Sequence, residues 1–246
     1  MLIALFSDIH ANAHALEACL VHARDRGVAR HVFLGDLVGY GADARRVVDI
    51  VAGHAESGAV VVKGNHDEAV DKSSGYFNEA AQAAIDWARE TLTGQQKRFL
   101  ASLPLIARVE DMCYVHASAA APQRWDYVDG PSSARRCAEA AAVTYTFCGH
   151  VHDQLLYFQR SNGRMSEFRP TPATVIPVHG DRRRVVIVGS VGQPRDRNPA
   201  AGYTLFDSTR REVTFHRVVY DAHAAAERIR SSGLPASLAF RVELGI

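Results

Sequence analysis

Three short apolar runs in the first 67 residues each stop on a carboxylate, and a helical stretch separates each from the next. "MLIALFSD" (1–8), "HVFLGD" (31–36) and "GAVVVKGNHD" (58–67) read as strands. "ANAHALEACLVHARDRG" carries Ala15, Leu16, Cys19 and Leu20 at helical spacing and closes at Gly27. "DARRVVDIVAGH" reads as a second helix with Asp43 as its N-cap. Strands buried on both faces and joined by helices require a parallel sheet built from βαβ units.

Further along, residues 78–101 predict two helices, and "IARVED" with "MCYVHAS" predicts a hairpin turning near Glu110 and Asp111. A helix over 133–141 leads into the strand "VTYTFCGH". The last third is rich in β: "QLLYFQR", "RRVVIVGS", "GYTLFDST" and "REVTFHRVVY", followed by a helix over 221–230 and a short closing helix. Residues 161–177 read as an irregular surface excursion. Strands that continue to the end of a mixed pattern predict two packed sheets with helices outside. No repeat or linker interrupts the 246 residues, which suits one domain over 1–246.

Composition excludes several classes of protein. Apolar residues make up 47% and charged residues 22%, as a globular core requires. The formal net charge of +1 gives no global field to recruit extended nucleic acid or an anionic membrane, so attraction for an anion must be local. The apolar N-terminus meets Asp8 at once and reads as a first strand, not a signal peptide. No apolar run approaches the roughly 20 residues that span a bilayer. Cys19, Cys113, Cys137 and Cys148 form no C-x-x-C pair and read as reduced core thiols of a cytoplasmic protein.

Polar residues gather where the strands end. Asp8 and His10 follow the first, Asp36 the second, and Asn65, His66 and Asp67 the third. His116 ends "MCYVHAS", and His150 and His152 end "VTYTFCGHVH". In extended backbone, residues two apart point to one side, which aims Asp8 with His10 and His150 with His152. Open α/β sheets bind ligands beyond the carboxyl ends of their strands. Gly35, Gly64 and Gly149 each precede one of these residues, where unusual backbone angles or close approach are expected. A donor set of Asp, His and Asn without Cys suits Mn²⁺, Fe²⁺, Co²⁺, Ni²⁺ or Zn²⁺. Seven candidate ligands exceed one tetrahedral site and suit two ions that share a carboxylate, roughly 3.5–4 Å apart.

In order and spacing, "DIH" (8–10), "GD" (35–36), "GNHD" (64–67), "VH" (115–116) and "GHVH" (149–152) resemble the calcineurin-like metallophosphoesterases. The resemblance implies a four-layer α/β/β/α sandwich of two mixed sheets. It implies one ion on Asp8, His10, Asp36 and His152 and a second on Asp36, Asn65, His116 and His150. Asp36 would bridge them, with Mn²⁺ the first expectation for both. A hydroxide between the ions would attack phosphorus in line, and His66 would contact the phosphate and protonate the leaving oxygen. Two divalent ions against Asp8, Asp36 and a hydroxide leave the site positive, which draws an anionic phosphate to a nearly neutral protein.

"GDLVGYG" (35–41) departs from the GDxVDRG of the family's protein phosphatases. Gly39 stands where their Asp partners the catalytic His, and Tyr40 where their Arg holds phosphate. A protein phosphatase is therefore not expected, and the group that orients His66 stays open, with Asp67 a candidate. "FSDIHAN", "GDLVGYG", "GNHD", "GHVH" and "GSVGQPRD" (189–196) together are instead similar to small single-domain bacterial members, among them broad phosphodiesterases and enzymes acting on dinucleoside polyphosphates. A small phosphoester or nucleotide-like substrate is the expected partner, and homo-oligomer formation stays open.

Arg195 could clamp phosphate, against a bland reading as a surface Arg–Asp pair. Trp125 and Tyr127 could stack an aromatic group, against a reading as lid packing. Asn65 could also touch substrate. The remaining histidines (14, 22, 31, 54, 179, 216 and 223) read as solvated. A phosphomonoesterase and a metal-binding, non-catalytic scaffold of the same fold are the alternatives. An amidohydrolase barrel would place its H-x-H early, and here it comes late. A nuclease would need a basic groove.

Overall fold

The computed structural model describes residues 1–72 and 77–246. The first half runs β1 (Leu2–Phe6), α1 (Ala13–Arg24), β2 (Arg30–Phe33), α2 (Ala44–Glu56), β3 (Val60–Val61), α3 (Asn65–Asp71), α4 (Glu79–Thr91), α5 (Gly94–Ser102), β4 (Ile106–Val109) and β5 (Met112–Val115). The second runs α6 (Pro131–Ala141), β6 (Tyr145–Cys148), β7 (Gln154–Gln159), β8 (Met165–Phe168), β9 (Val175–Pro177), β10 (Arg184–Val188), β11 (Ala201–Asp207), β12 (Glu212–Val218), α7 (Ala222–Ser231) and α8 (Ala236–Leu244). No helix among the described residues is long and apolar enough to cross a membrane.

Two six-stranded mixed sheets form, ordered β3-β2-β1-β11-β12-β9 and β4-β5-β6-β10-β7-β8. β1, β2 and β3 are parallel, as are β5, β6 and β10, so the carboxyl ends within each trio share one edge. Ile3, Leu5, Val32 and Leu34 of the first sheet meet Met112, Tyr114, Phe147 and Val186 of the second in a dry central layer. The opposite face of the first sheet, with Phe6 and Phe33, packs under Leu16 and Cys19 of α1 and Val47 and Val51 of α2. The outer face of the second sheet packs under α6 through Ala134, Cys137 and Ala138. This is the four-layer α/β/β/α sandwich. All four cysteines are free and buried, as core fillers.

Four local expectations change. Residues 161–177 contain β8 and β9, short strands near or at sheet edges; Pro170, Pro172 and Pro177 hid them, because proline interrupts a strand pattern. β3 is only two residues long, and "GNHD" opens α3 instead of extending the strand. The Gly64 N–H donates to the Asp67 carboxylate at 2.9 Å, so a capping contact starts the helix at once. Asp43 sits at the α2 N-cap position without capping it; its carboxylate accepts from Arg228 Nε at 2.9 Å.

His216 is buried, not solvated. On β12, its ring stacks on Tyr203 at 5.2 Å and meets His22 at 5.0 Å. Burial, with the neighbouring His22 and Arg26, pushes its pKa down to about 4. The folded chain then binds fewer protons than the unfolded chain between that value and an ordinary histidine pKa of about 6.5, so stability is lost as pH falls through this window. The full shift corresponds to an effect on the order of 2 kcal/mol after solvent screening. His216→Gln should flatten the pH dependence of urea unfolding between about pH 6.5 and 4; an unchanged slope would show that the imidazole accepts its proton without unfolding.

Candidate metal centre

The polar residues named from the sequence converge on the shared carboxyl edge of the two sheets, just past the ends of β1, β2, β5 and β6 and at the start of α3. Extended backbone does not bring them there. Asp8, His10, Asp36, His150 and His152 all have positive φ, between 48° and 69°. Left-handed backbone at five non-glycine residues is unfavourable and marks a turn fixed by its surroundings. Bonds between the turns provide that fixation: the Asp8 N–H donates to Gly35 O at 3.1 Å, His10 N–H to Asp36 O at 2.9 Å and Gly149 N–H to His116 O at 2.8 Å.

Close approach explains the glycines. A Cβ on Gly64 would overlap the Asp36 carboxylate, and one on Gly149 would overlap Ser7 Oγ. Gly35 combines a φ of 85° with Lys63 and Gly64 backbone against its open face.

Three imidazoles are oriented by main-chain carbonyls. The Nδ1 atoms of His10, His116 and His152 lie 3.2, 2.7 and 2.6 Å from Val38 O, Leu34 O and Gln193 O. A carbonyl accepts only, so each Nδ1 carries a proton and, in the neutral ring, each Nε2 presents a lone pair to the centre. His10 Nε2 and His152 Nε2 face one another at 3.2 Å, and His152 Nε2 lies 3.2 Å from Asp8 Oδ1, which has no hydrogen-bond partner among the described residues. His116 Nε2 lies 3.1 Å from His150 Nδ1, 3.2 Å from Asn65 Oδ1 and 3.3 Å from Asp36 Oδ2. Asp36 Oδ2 is also 3.8 Å from His10 Nε2 and so stands between both groups.

These separations suit cations. Ligands held at about 2.1 Å from one ion stand roughly 3.0–3.4 Å from each other. Lone pairs crowded in a buried centre without protons are costly unless a positive charge satisfies them. Burial pushes His10 and His150 toward the neutral form, His150 to about 3 with the help of neighbouring His116. Burial also acts to neutralise His116, but Asp36 and Asp8 outweigh it and raise its pKa to about 9. The two carboxylates thus favour a positive charge at this position. Both donor groups therefore fit a divalent first-row metal.

His66 lies on the rim. Its Nε2 is 4.0 Å from Asp36 Oδ2, and its Nδ1 has no hydrogen-bond partner among the described residues. Asp67 does not orient it. The Asp67 carboxylate accepts N–H bonds from Leu37 at 2.8 Å and Gly64 at 2.9 Å, tying the turns after β2 and β3 together. Burial, then the Asp36 charge, pushes its pKa up to about 7. The ring of His66 is held instead by Tyr40, His10 and Phe77, with centroids at 4.7, 4.9 and 5.0 Å. Sequence reasoning missed these rings; the signal was Tyr40 beside Gly39.

A cleft of about 180 Å³ opens over the centre, lined by Asp36, Asn65, His66, Tyr40, Tyr127 and Arg195 among others. Arg195 Nε is buried without a partner among the described residues, and Asp196 pairs with Arg217 instead. Trp125 stands behind this surface, edge-on to His116 at 5.9 Å, and its Nε1 donates to Glu68 at 3.2 Å. Tyr127 is the residue of that loop that lines the cleft. His14 is partly exposed, 3.9 Å from Asp43.

A four-layer sandwich with candidate metal ligands at its carboxyl edge is the architecture of a known superfamily: the chain belongs to the calcineurin-like phosphoesterase superfamily, whose domain matches residues 1–211. It is 32% identical over 255 residues to the uncharacterized protein MJ0912 of Methanocaldococcus jannaschii, covering 99% of this chain and 98% of that one. Among solved structures it is similar to a metallophosphoesterase from Sphaerobacter thermophilus, with 34% identity, a TM-score of 0.88 and coverage of 100% and 99%. The hypothetical protein PH1004 from Pyrococcus horikoshii OT3 shares the fold at 20% identity, with a TM-score of 0.80 and coverage of 100% and 98%.

Proposed function

We propose that this chain, acting as a single domain, hydrolyses phosphodiesters or dinucleoside polyphosphates with two divalent metal ions. The observation that carries the reading is the pair of buried donor groups on either side of Asp36, in which ring nitrogens and the Asp36 carboxylate face one another at 3.1–3.3 Å. Asp8, His10, Asp36 and His152 would hold one ion, and Asp36, Asn65, His116 and His150 the other, with Mn²⁺ the first expectation. Ions there supply Lewis acidity and lower the pKa of water toward neutrality.

The chain's own groups do the rest. The carbonyls of Val38, Leu34 and Gln193 fix the imidazole rings before substrate arrives. Arg195, whose Nε has no partner among the described residues and which lines the cleft, holds a phosphoryl oxygen and fixes the ester's orientation. Asn65 lines the same wall and can touch that group as well. His66 keeps a proton on Nε2 for the leaving oxygen, and the aromatic rings around it keep that atom aimed into the cleft. Four unpaired cysteines fit a reducing compartment, and we place the protein in the cytoplasm.

Metal-stripped protein should be assayed with Mn²⁺ added back on bis(p-nitrophenyl) phosphate, p-nitrophenyl phosphate and diadenosine tetraphosphate. The diester or the tetraphosphate should be cleaved in preference to the monoester, and chelator should abolish turnover. No cleavage of any of them by protein that holds two Mn²⁺ per chain would leave a metal-binding scaffold.

A further inference from the structure

We infer that Tyr127 is a stacking platform that makes the preferred substrate a nucleoside or aryl phosphoester, with its planar ring lying on the lip of the cleft. The inference rests on the phosphoesterase reading above and names its substrate class.

Tyr127 belongs to the segment between β5 and α6, and that segment is pinned on both sides. Before it, Ala121 and Trp125 take left-handed backbone around a short 3₁₀ turn, Pro122–Arg124, and Trp125 Nε1 is tied to Glu68 of α3. After it, Val128 is buried and the Asp129 N–H donates to Ser133 Oγ at the start of α6. The exposure of Tyr127 is therefore a held position. One face of its ring stacks on His150, with centroids 4.1 Å apart and planes at 24°. The side chain is nonetheless 51% exposed, and among the described residues no other exposed large hydrophobic residue lines the cleft. An aromatic ring with one face committed and the other in water gains on covering the open face, by about 1–3 kcal/mol when a nucleobase does so.

Size and charge point the same way. The cleft's roughly 180 Å³ takes a phosphoryl group and little more, and its lining is mostly polar. Smaller than the 300 Å³ or so of an ordinary organic-ligand pocket, it leaves the organic part of an ester to pass over the lip. Arg195, on the same wall, fixes the phosphoryl end. A ring attached within a sugar's length of phosphorus then meets Tyr127, whereas an aliphatic substituent finds only an edge.

Two monoesters that differ only in the base test this. Binding of AMP and of ribose 5-phosphate to Mn²⁺-loaded protein is measured by titration calorimetry, for wild type, Tyr127→Ala and Tyr127→Phe. AMP should bind about tenfold tighter to wild type and to Tyr127→Phe. In Tyr127→Ala the two affinities should converge within about twofold, with ribose 5-phosphate bound as before and two Mn²⁺ retained. Equal affinities in wild type, or a preference that survives in Tyr127→Ala, would overturn the platform. So would a parallel loss of both ligands in Tyr127→Ala, which would make Tyr127 only a support for His150. The binding ratio does not depend on turnover. A preference without cleavage of the diester or the tetraphosphate would sink the phosphoesterase reading alone, and cleavage without a preference would sink the platform alone.

Discussion

Asp36→Asn should reduce bound Mn²⁺ from two ions per chain to one or none and lower turnover by about 10³-fold or more, some 4 kcal/mol of barrier. Asp36 is the side chain that stands between the two donor groups. Its Oδ2 lies 3.3 Å from His116 Nε2, 3.8 Å from His10 Nε2 and 4.0 Å from His66 Nε2. Its Oδ1 accepts the His66 N–H at 2.8 Å. An amide cannot serve both sides. With its oxygen toward the centre, its NH₂ meets the His66 N–H donor; turned round, the NH₂ faces the centre and has no lone pair to give a cation. Either way one negative charge is gone from a buried site that has only Asp8 and Asp36 to balance two cations. Metal content after gel filtration, measured beside turnover, decides the matter. Two ions retained at wild-type affinity would remove Asp36 as the bridge, and one ion lost while the other keeps its wild-type affinity would assign Asp36 to a single site.

The residues that carry chemistry were legible because their type is dictated by what they bind, and type is what a sequence displays. D-I-H, GD, GNHD and GHVH name their donors whatever backbone presents them. How the donors are presented was not legible. Alternation suggested that Asp8 and His10 share a strand face, yet both lie past the end of β1 in left-handed backbone. Nothing local to an Asp or His announces a positive φ that is imposed by bonds to another turn. Asp67 shows the same limit. A carboxylate beside His66 invites pairing with it, but chain entry into α3 points the carboxylate at the backbone of residues 37 and 64. Tyr127 and Trp125, two residues apart, were indistinguishable until the turns at 121 and 125 placed one in the cleft and the other behind it. His216 looked like any polar strand residue, because burial of a single histidine against Tyr203 is a tertiary fact.

Gly39→Ala should be nearly as damaging to turnover as His66→Ala, with both variants keeping two Mn²⁺ and a native fold. Gly39 has a φ of 87°, and a Cβ there would overlap His66 Nδ1 and lie 2.9 Å from its Cγ. The ring has no carboxylate to hold it, since Nδ1 lacks a hydrogen-bond partner among the described residues. Its aim comes from shape alone: Tyr40, Phe77 and His10 on its faces and edges, and the bare glycine beneath it. One methyl group must therefore displace the imidazole, and an acid moved out of reach contributes as little as an absent one. The expected loss is roughly 10²–10⁴-fold, the range for a positioned general acid. The leaving group identifies the cause. A nitrophenolate departs without a proton, whereas a nucleoside alkoxide does not, so both variants should lose far more on a dinucleotide than on bis(p-nitrophenyl) phosphate. An equal loss on both substrates would mean that His66 holds phosphate rather than donating a proton. Loss of metal in His66→Ala would make it a ligand with His10 and Asp36, which its approach to both allows.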